Sequence, residues 1–113
     1  MLPNTPYRTT ERWNGKAVYK RLIHIGALGS GTSAPAMIQI PETNISPLGF
    51  TGYVSGENIG SLLTVPYKNA NGSREIWGYI TQGSTGPYYL VIYTNYDASH
   101  LYGYFEIKYI FNN

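Results

Sequence analysis

Apolar and polar positions alternate along this chain in short runs, broken by Gly, Pro or Asn, and no stretch sustains a helical period. The clearest run, Tyr88-Tyr89-Leu90-Val91-Ile92-Tyr93-Thr94, predicts a strand with little polar character on either face. Residues 17–25, 37–40, 50–54, 61–65, 75–81 and 101–111 predict further strands. Between them lie the loops 26–35, 44–47, 69–73, 82–87 and 95–100, rich in Gly, Pro, Asn and Ser. Residues 1–15 read as a polar, irregular segment, with 1–12 as an extended lead-in; Asn14-Gly15 is a strong turn signal, and strands on either side of it would form a hairpin. About seven short strands at this spacing imply an all-β fold: a single antiparallel β-sandwich, jelly-roll-like, occupying residues 1–113 as one domain.

Alternation also sorts the side chains by face. In the last strand Leu101, Gly103, Phe105, Ile107, Tyr109 and Phe111 share one side, the expected core side. Tyr102, Tyr104, Glu106, Lys108 and Ile110 share the other. By the same rule Trp77 and Tyr79 oppose Ile76 and Ile80, while Tyr89, Val91 and Tyr93 oppose Tyr88, Leu90 and Ile92. These strands are apolar on both sides, more than one small core needs, and the excess points to a contact between subunits.

Composition narrows the function. Twelve Tyr, against 3 Phe and 2 Trp, accompany 13 Gly and 7 Pro, a mixture that favours strands and turns. Charged residues are 12% of the chain, the net charge is +2 and no Lys/Arg cluster occurs, which argues against a nucleic-acid partner. Cysteine is absent, so disulfides, thiolate catalysis and Cys-based zinc sites are excluded. The opening residues Met1-Leu2-Pro3-Asn4-Thr5-Pro6 lack the features of a signal peptide, and no apolar run approaches the ~20 residues of a membrane helix. Neither secretion nor membrane insertion is expected.

Reactive side chains are few. Asp97-Ala98-Ser99-His100 contains the residue types of a serine triad, but a triad needs His within reach of both partners, and polar turn residues are the simpler reading. His24 lies between apolar neighbours, and the glutamates are scattered without ligand spacing; no metal, cofactor or catalytic residue is expected. Gly26-Ala27-Leu28-Gly29-Ser30-Gly31 is followed by a strand, where a phosphate-binding loop would open a helix. The sequons at Asn44 and Asn71 read as loop composition. Aromatic surface remains: Trp and Tyr stack on the apolar faces of sugars, and Trp77, Tyr88, Tyr89, Tyr93, Tyr96, Tyr102 and Tyr104, with His100, are the candidate ligand-binding residues. Packing within a core or a subunit contact is the competing role for each. Loops 69–73, 82–87 and 95–100 are the expected seats of specificity, with Ser73, Arg74 and the 95–100 turn at one end of the fold.

The stretch Thr10-Glu11-Arg12-Trp13-Asn14-Gly15-Lys16-Ala17-Val18-Tyr19-Lys20-Arg21, continuing through Leu22-Ile23-His24-Ile25-Gly26, resembles a pattern near the C-terminal ends of phage and prophage tail or minor structural proteins. That pattern runs from a Trp through a Gly-Lys turn to a Tyr, two basic or polar residues and an apolar strand. Pro66-Tyr67 and the final strand Tyr102-Gly103-Tyr104-Phe105-Glu106-Ile107-Lys108-Tyr109 fit it as well. Close matching is confined to 10–26 and 101–109; Arg12, Asn14 and Ala17 depart from it, and the middle of the chain is not recognisable as part of it. The resemblance implies a virion module, a trimeric tail-fibre tip made in the host cytoplasm, whose partners are its own copies and a bacterial surface polysaccharide or other host receptor. A purely structural trimerisation or capping domain of a virion, and a bacterial carbohydrate-binding module, are the alternatives.

Overall fold

The computed structural model describes residues 6–56 and 62–112. Among these are nine strands and no helix: β1 (Pro6–Trp13), β2 (Lys16–Ile25), β3 (Ala36–Ile40), β4 (Ile45–Ser55), β5 (Leu62–Val65), β6 (Tyr67–Lys68), β7 (Glu75–Gln82), β8 (Tyr88–Thr94) and β9 (Tyr102–Phe111). They form two antiparallel sheets, one ordered β1-β2-β9-β4-β5 and the other β3-β8-β7-β6. The chain crosses between sheets after β2, β3, β5 and β8, the last-but-one crossing falling at Pro66. The central pairings β2-β9 and β9-β4 join strands far apart in sequence, as a jelly-roll-like sandwich requires. No described helix is long and apolar enough to cross a membrane.

The core lies between the sheets and is built from the inward side of β2 through β9. Ile23, Ile25, Val54, Phe105, Ile107 and Tyr109 come from the larger sheet, and Ile40, Ile76, Leu90 and Ile92 from the smaller. Leu28, Ala98 and Leu101 close one end. Each buried Val, Ile, Leu or Phe among them stabilises the fold by about 1.5–3 kcal/mol through burial alone. Phe105 has a particular demand: its ring lies across Gly52 and Gly103, and a Cβ at either glycine would collide with it. The inward face of β9 is the one alternation predicts, through Gly103, Phe105, Ile107 and Tyr109.

Three strand assignments differ from the sequence expectation. Residues 6–13 form a paired edge strand instead of an irregular lead-in; residues 1–5 lie outside the described residues. Its polar composition suits an edge open to solvent, and the hairpin is set by Asn14 and Gly15, both at positive φ (50° and 80°). β4 begins at Ile45, inside the segment read as a turn, because Pro47 sits where β4 has only β9 as a neighbour and the register shifts between Pro47 and Gly49. A proline is tolerated on such an open edge. Tyr67–Lys68 is a short strand that pairs with β7. The strand expected from residue 61 starts at Leu62, Ser61 being outside the described residues.

Candidate functional site

Loops gather at the two ends of the sandwich. At one end the β8–β9 connection is tied to its neighbours: Leu28 N–H donates to Leu101 O (3.0 Å), and Ala98 N–H donates to Gly29 O (3.0 Å). Asn95 binds the β6–β7 turn, accepting from Glu75 N–H (2.7 Å) and donating from Nδ2 to Gly72 O (3.3 Å). The Arg74 guanidinium lies 5.2 Å from the centre of the Tyr96 ring. Arg74 and the 95–100 turn thus share one end, as hairpin geometry predicts. The 82–87 turn lies at the other end, beside Thr43, Asn44 and Asn112.

Within the 95–100 turn, Ser99 folds back on Asp97: its N–H (3.1 Å) and its hydroxyl (2.7 Å) both donate to Asp97 Oδ1. These bonds hold the Asp97 carboxyl below its ordinary range. The arrangement is a turn lock, in which the serine hydroxyl is spent on the carboxylate. Among the described residues no three His, Asp or Glu side chains are grouped to hold a metal ion.

The eight candidate residues do not share one surface. Trp77, Tyr89 and Tyr93 project from the outer face of the four-stranded sheet, while Tyr102 and Tyr104 project from the outer face of the five-stranded sheet. Tyr88 and Tyr96 pack against the core. The Tyr96 hydroxyl is buried without a hydrogen-bond partner among the described residues, and burial pushes its pKa up. His100 is exposed in the β8–β9 turn.

On the four-stranded sheet, register brings three rings into a ladder. Trp77 pairs with Tyr93 across β7 and β8, their planes 13° apart and centroids 5.6 Å apart. Tyr79 lies 5.9 Å from Tyr93 at 22°, and the two hydroxyls are 3.5 Å apart. That contact raises the Tyr79 pKa. Nearly parallel rings at these separations are offset-stacked, which holds each in place. Below them Val91 is only 2% exposed although it faces outward, between Tyr79 on one strand and Met37 on the other. Tyr79 itself is 43% exposed and Met37 53%. Gln39, Tyr89 and Thr81 form the next row across the three strands. From Trp77 to this row, the outward positions of β3, β7 and β8 carry no charge.

The five-stranded face has another character. Tyr53 and Tyr104 pair across β4 and β9 with centroids 5.8 Å apart, and the His24 ring stacks on Tyr104 at 4.6 Å and 28°. Tyr102 packs edge-on to Tyr104, and Leu62, at 60% exposure, lies at the β5 edge. Further along the same strands the aromatic group gives way to charge. Lys108 Nζ meets Glu11 at 3.1 Å, and Lys20 Nζ meets Glu106 at 3.5 Å. Tyr7 donates to Glu106 Oε2 at 2.8 Å, and its pKa is pushed up to about 12 by burial and by this carboxylate.

Sequence reasoning omitted Tyr79, Met37, Tyr53, His24 and Leu62 from the candidate set. Tyr79 was within reach, since alternation places it beside Trp77. Tyr53, His24 and Leu62 join Tyr104 and Tyr102 only through long-range register.

No protein-family model, curated protein or solved structure matches this chain.

Proposed function

We propose that this chain is a non-enzymatic binding module of a phage or prophage tail appendage, which assembles as a homotrimer and holds a host-surface glycan. The observation that carries the reading is the uncharged, stacked ladder of Trp77, Tyr93 and Tyr79 on the outer face of the four-stranded sheet, with Tyr79 exposed and the other two rings half-buried. Stacked rings offer apolar area to the faces of sugars at low entropic cost, since their rotamers are already fixed by one another. Gln39 and Thr81 flank the ladder with amide and hydroxyl groups suited to sugar hydroxyls. Each site binds weakly, and three on one tip raise the apparent affinity by ~10²–10⁴.

The five-stranded face serves the assembly. An apolar aromatic centre beside paired charges has the anatomy of a protein contact. The resemblance of residues 10–26 and 101–109 to phage tail proteins supports the same placement. Calorimetric titration with neutral oligosaccharides tests the glycan half: the native chain binds and Trp77→Ala weakens binding at least tenfold, about 1.4 kcal/mol. Equal affinity in both would remove the ladder from the site. A protein that forms trimers and binds no glycan is the structural capping module, a reading favoured by the Tyr53, Tyr102 and Leu62 surface.

A further inference from the structure

The end of the sandwich opposite the 95–100 turn holds a cleft of about 570 Å³, within the range of small-ligand sites. Its walls include Gln39, Asn44, Gln82 and Asn112, with Tyr88 and Glu42. We propose that this cleft is a second saccharide subsite, taking a terminal, uncharged sugar of the chain whose inner rings lie on the Trp77–Tyr79 ladder. The inference rests on the glycan reading above and adds the place and charge of the bound end.

The lining argues for a neutral, hydroxyl-rich ligand. Four of the lining residues, Gln39, Asn44, Gln82 and Asn112, have carboxamide side chains, and a carboxamide carries both donors and an acceptor, the combination a sugar hydroxyl needs. No Lys or Arg is among the described residues lining the cleft, so nothing there would hold a phosphate, sulfate or uronate. The single carboxylate, Glu42, is already committed: Arg21 Nε lies 2.7 Å and 3.0 Å from its two oxygens, and Arg21 Nη2 completes the pair. Arg21 is buried, so this ion pair cancels the charge of Glu42 from beneath the cleft. A cationic ligand would therefore gain little.

The walls are also held in advance. Asn112 N–H donates to Asn44 O (2.9 Å), and Ser46 Oγ donates to Asn112 Oδ1 (2.6 Å), which orients the Asn112 amide. Gln82 Nε2 donates to Gly86 O (3.0 Å) across the β7–β8 turn. Gln39 lies between the cleft and the ladder: it lines the cleft and pairs with Tyr89, in the outward row next to that of Val91 and Tyr79. At ~3.3 Å per strand residue, Tyr93 and Tyr89 are separated by about 13 Å along β8. An oligosaccharide of several rings spans that path, and a single sugar cannot.

Heteronuclear NMR on the intact chain tests this directly, with maltotetraose and tetra-N-acetylchitotetraose as neutral probes and sialyllactose as an acidic comparison. The expected result is that a neutral tetrasaccharide shifts the Trp77 indole signal together with the side-chain amide signals of Gln39, Gln82 and Asn112. Gln39→Ala then lowers affinity about three- to tenfold, the loss of one hydrogen bond, and leaves the indole response in place. Shifts confined to the Trp77 indole would overturn the cleft proposal and leave the glycan reading standing. Shifts confined to the amides would keep the cleft and overturn the ladder. Preference for the acidic sugar at the amides would overturn the neutral-ligand claim, and no shift anywhere would remove both readings.

Discussion

The two outer faces of this sandwich start from the same ingredients, strands with aromatic residues at alternate positions, and arrive at different surfaces. On the four-stranded sheet Trp77, Tyr93 and Tyr79 stack nearly parallel with uncharged neighbours. On the five-stranded sheet Tyr53, Tyr104, Tyr102 and His24 form a cluster at mixed angles, which runs into the network of Glu11, Lys20, Glu106 and Lys108. The difference comes from what each strand pairs with. β7 and β8 are a hairpin whose register is fixed locally, so their rings meet in order. β9 instead pairs with β2, which brings His24 and Lys20, and with β4, which brings Tyr53, to the surface that holds its own Tyr104, Glu106 and Lys108. An aromatic ladder without charge suits a flat polyhydroxylated ligand; an aromatic patch bordered by charge suits a protein partner.

Four changes to the five-stranded sheet would sharpen this contrast. The largest effect is expected from Tyr53→Lys combined with Leu62→Lys. Two charges in the proposed contact, one within the aromatic group and one at its β5 edge, should convert the trimer to monomer by light scattering while glycan affinity per site is kept. Persistence of the trimer would move the contact elsewhere. A smaller effect follows from Gly52→Ala, whose methyl group meets the Phe105 ring. Overpacking there should cost about 1–3 kcal/mol in chemical denaturation, with the stability of the fold reduced and the ladder geometry unchanged.

The smallest effect belongs to the charge network. Lys20→Met should change stability by less than about 1 kcal/mol, and the change should shrink in high salt, because these are partly exposed pairs. Tyr7 gives the same region a pH signature. Its folded pKa of about 12 exceeds the ordinary 10.0, so the folded protein holds this proton more tightly than the unfolded chain. The associated stability is complete below pH 10 and declines as pH rises toward 12. Tyr7→Phe should remove that part of the alkaline decline in pH-dependent unfolding curves.

How far the sequence reaches follows the same division. β8 spans the same residues in prediction and structure, and β7 differs by one, because local alternation and Gly-rich turns define both. β1 was hidden because an edge strand needs no apolar face, and the start of β4 because Pro47 and Gly49 resemble a turn when their pairing with β9 is unseen. Among the candidate residues, alternation correctly separates Tyr88 from Tyr89 and Trp77 from Ile76. It could not tell that Tyr102 and Tyr104 belong to the opposite face of the molecule from Trp77, since sheet membership is a long-range property. Nor could it reveal the cleft. That cleft is formed by the β3–β4 connection, the 83–87 turn and Asn112, which meet only when both sheets are closed.

The central claim is that the two faces do different work, and oxidative footprinting at increasing protein concentration addresses both at once. Side-chain labelling would be read at Tyr79 and Met37 on one face and at Tyr53 and Tyr102 on the other. The account predicts that Tyr53 and Tyr102 become protected as the trimer forms, whereas Tyr79 and Met37 stay reactive until a neutral oligosaccharide is added. Protection of Tyr79 and Met37 by assembly alone, with Tyr53 and Tyr102 left reactive, would contradict it.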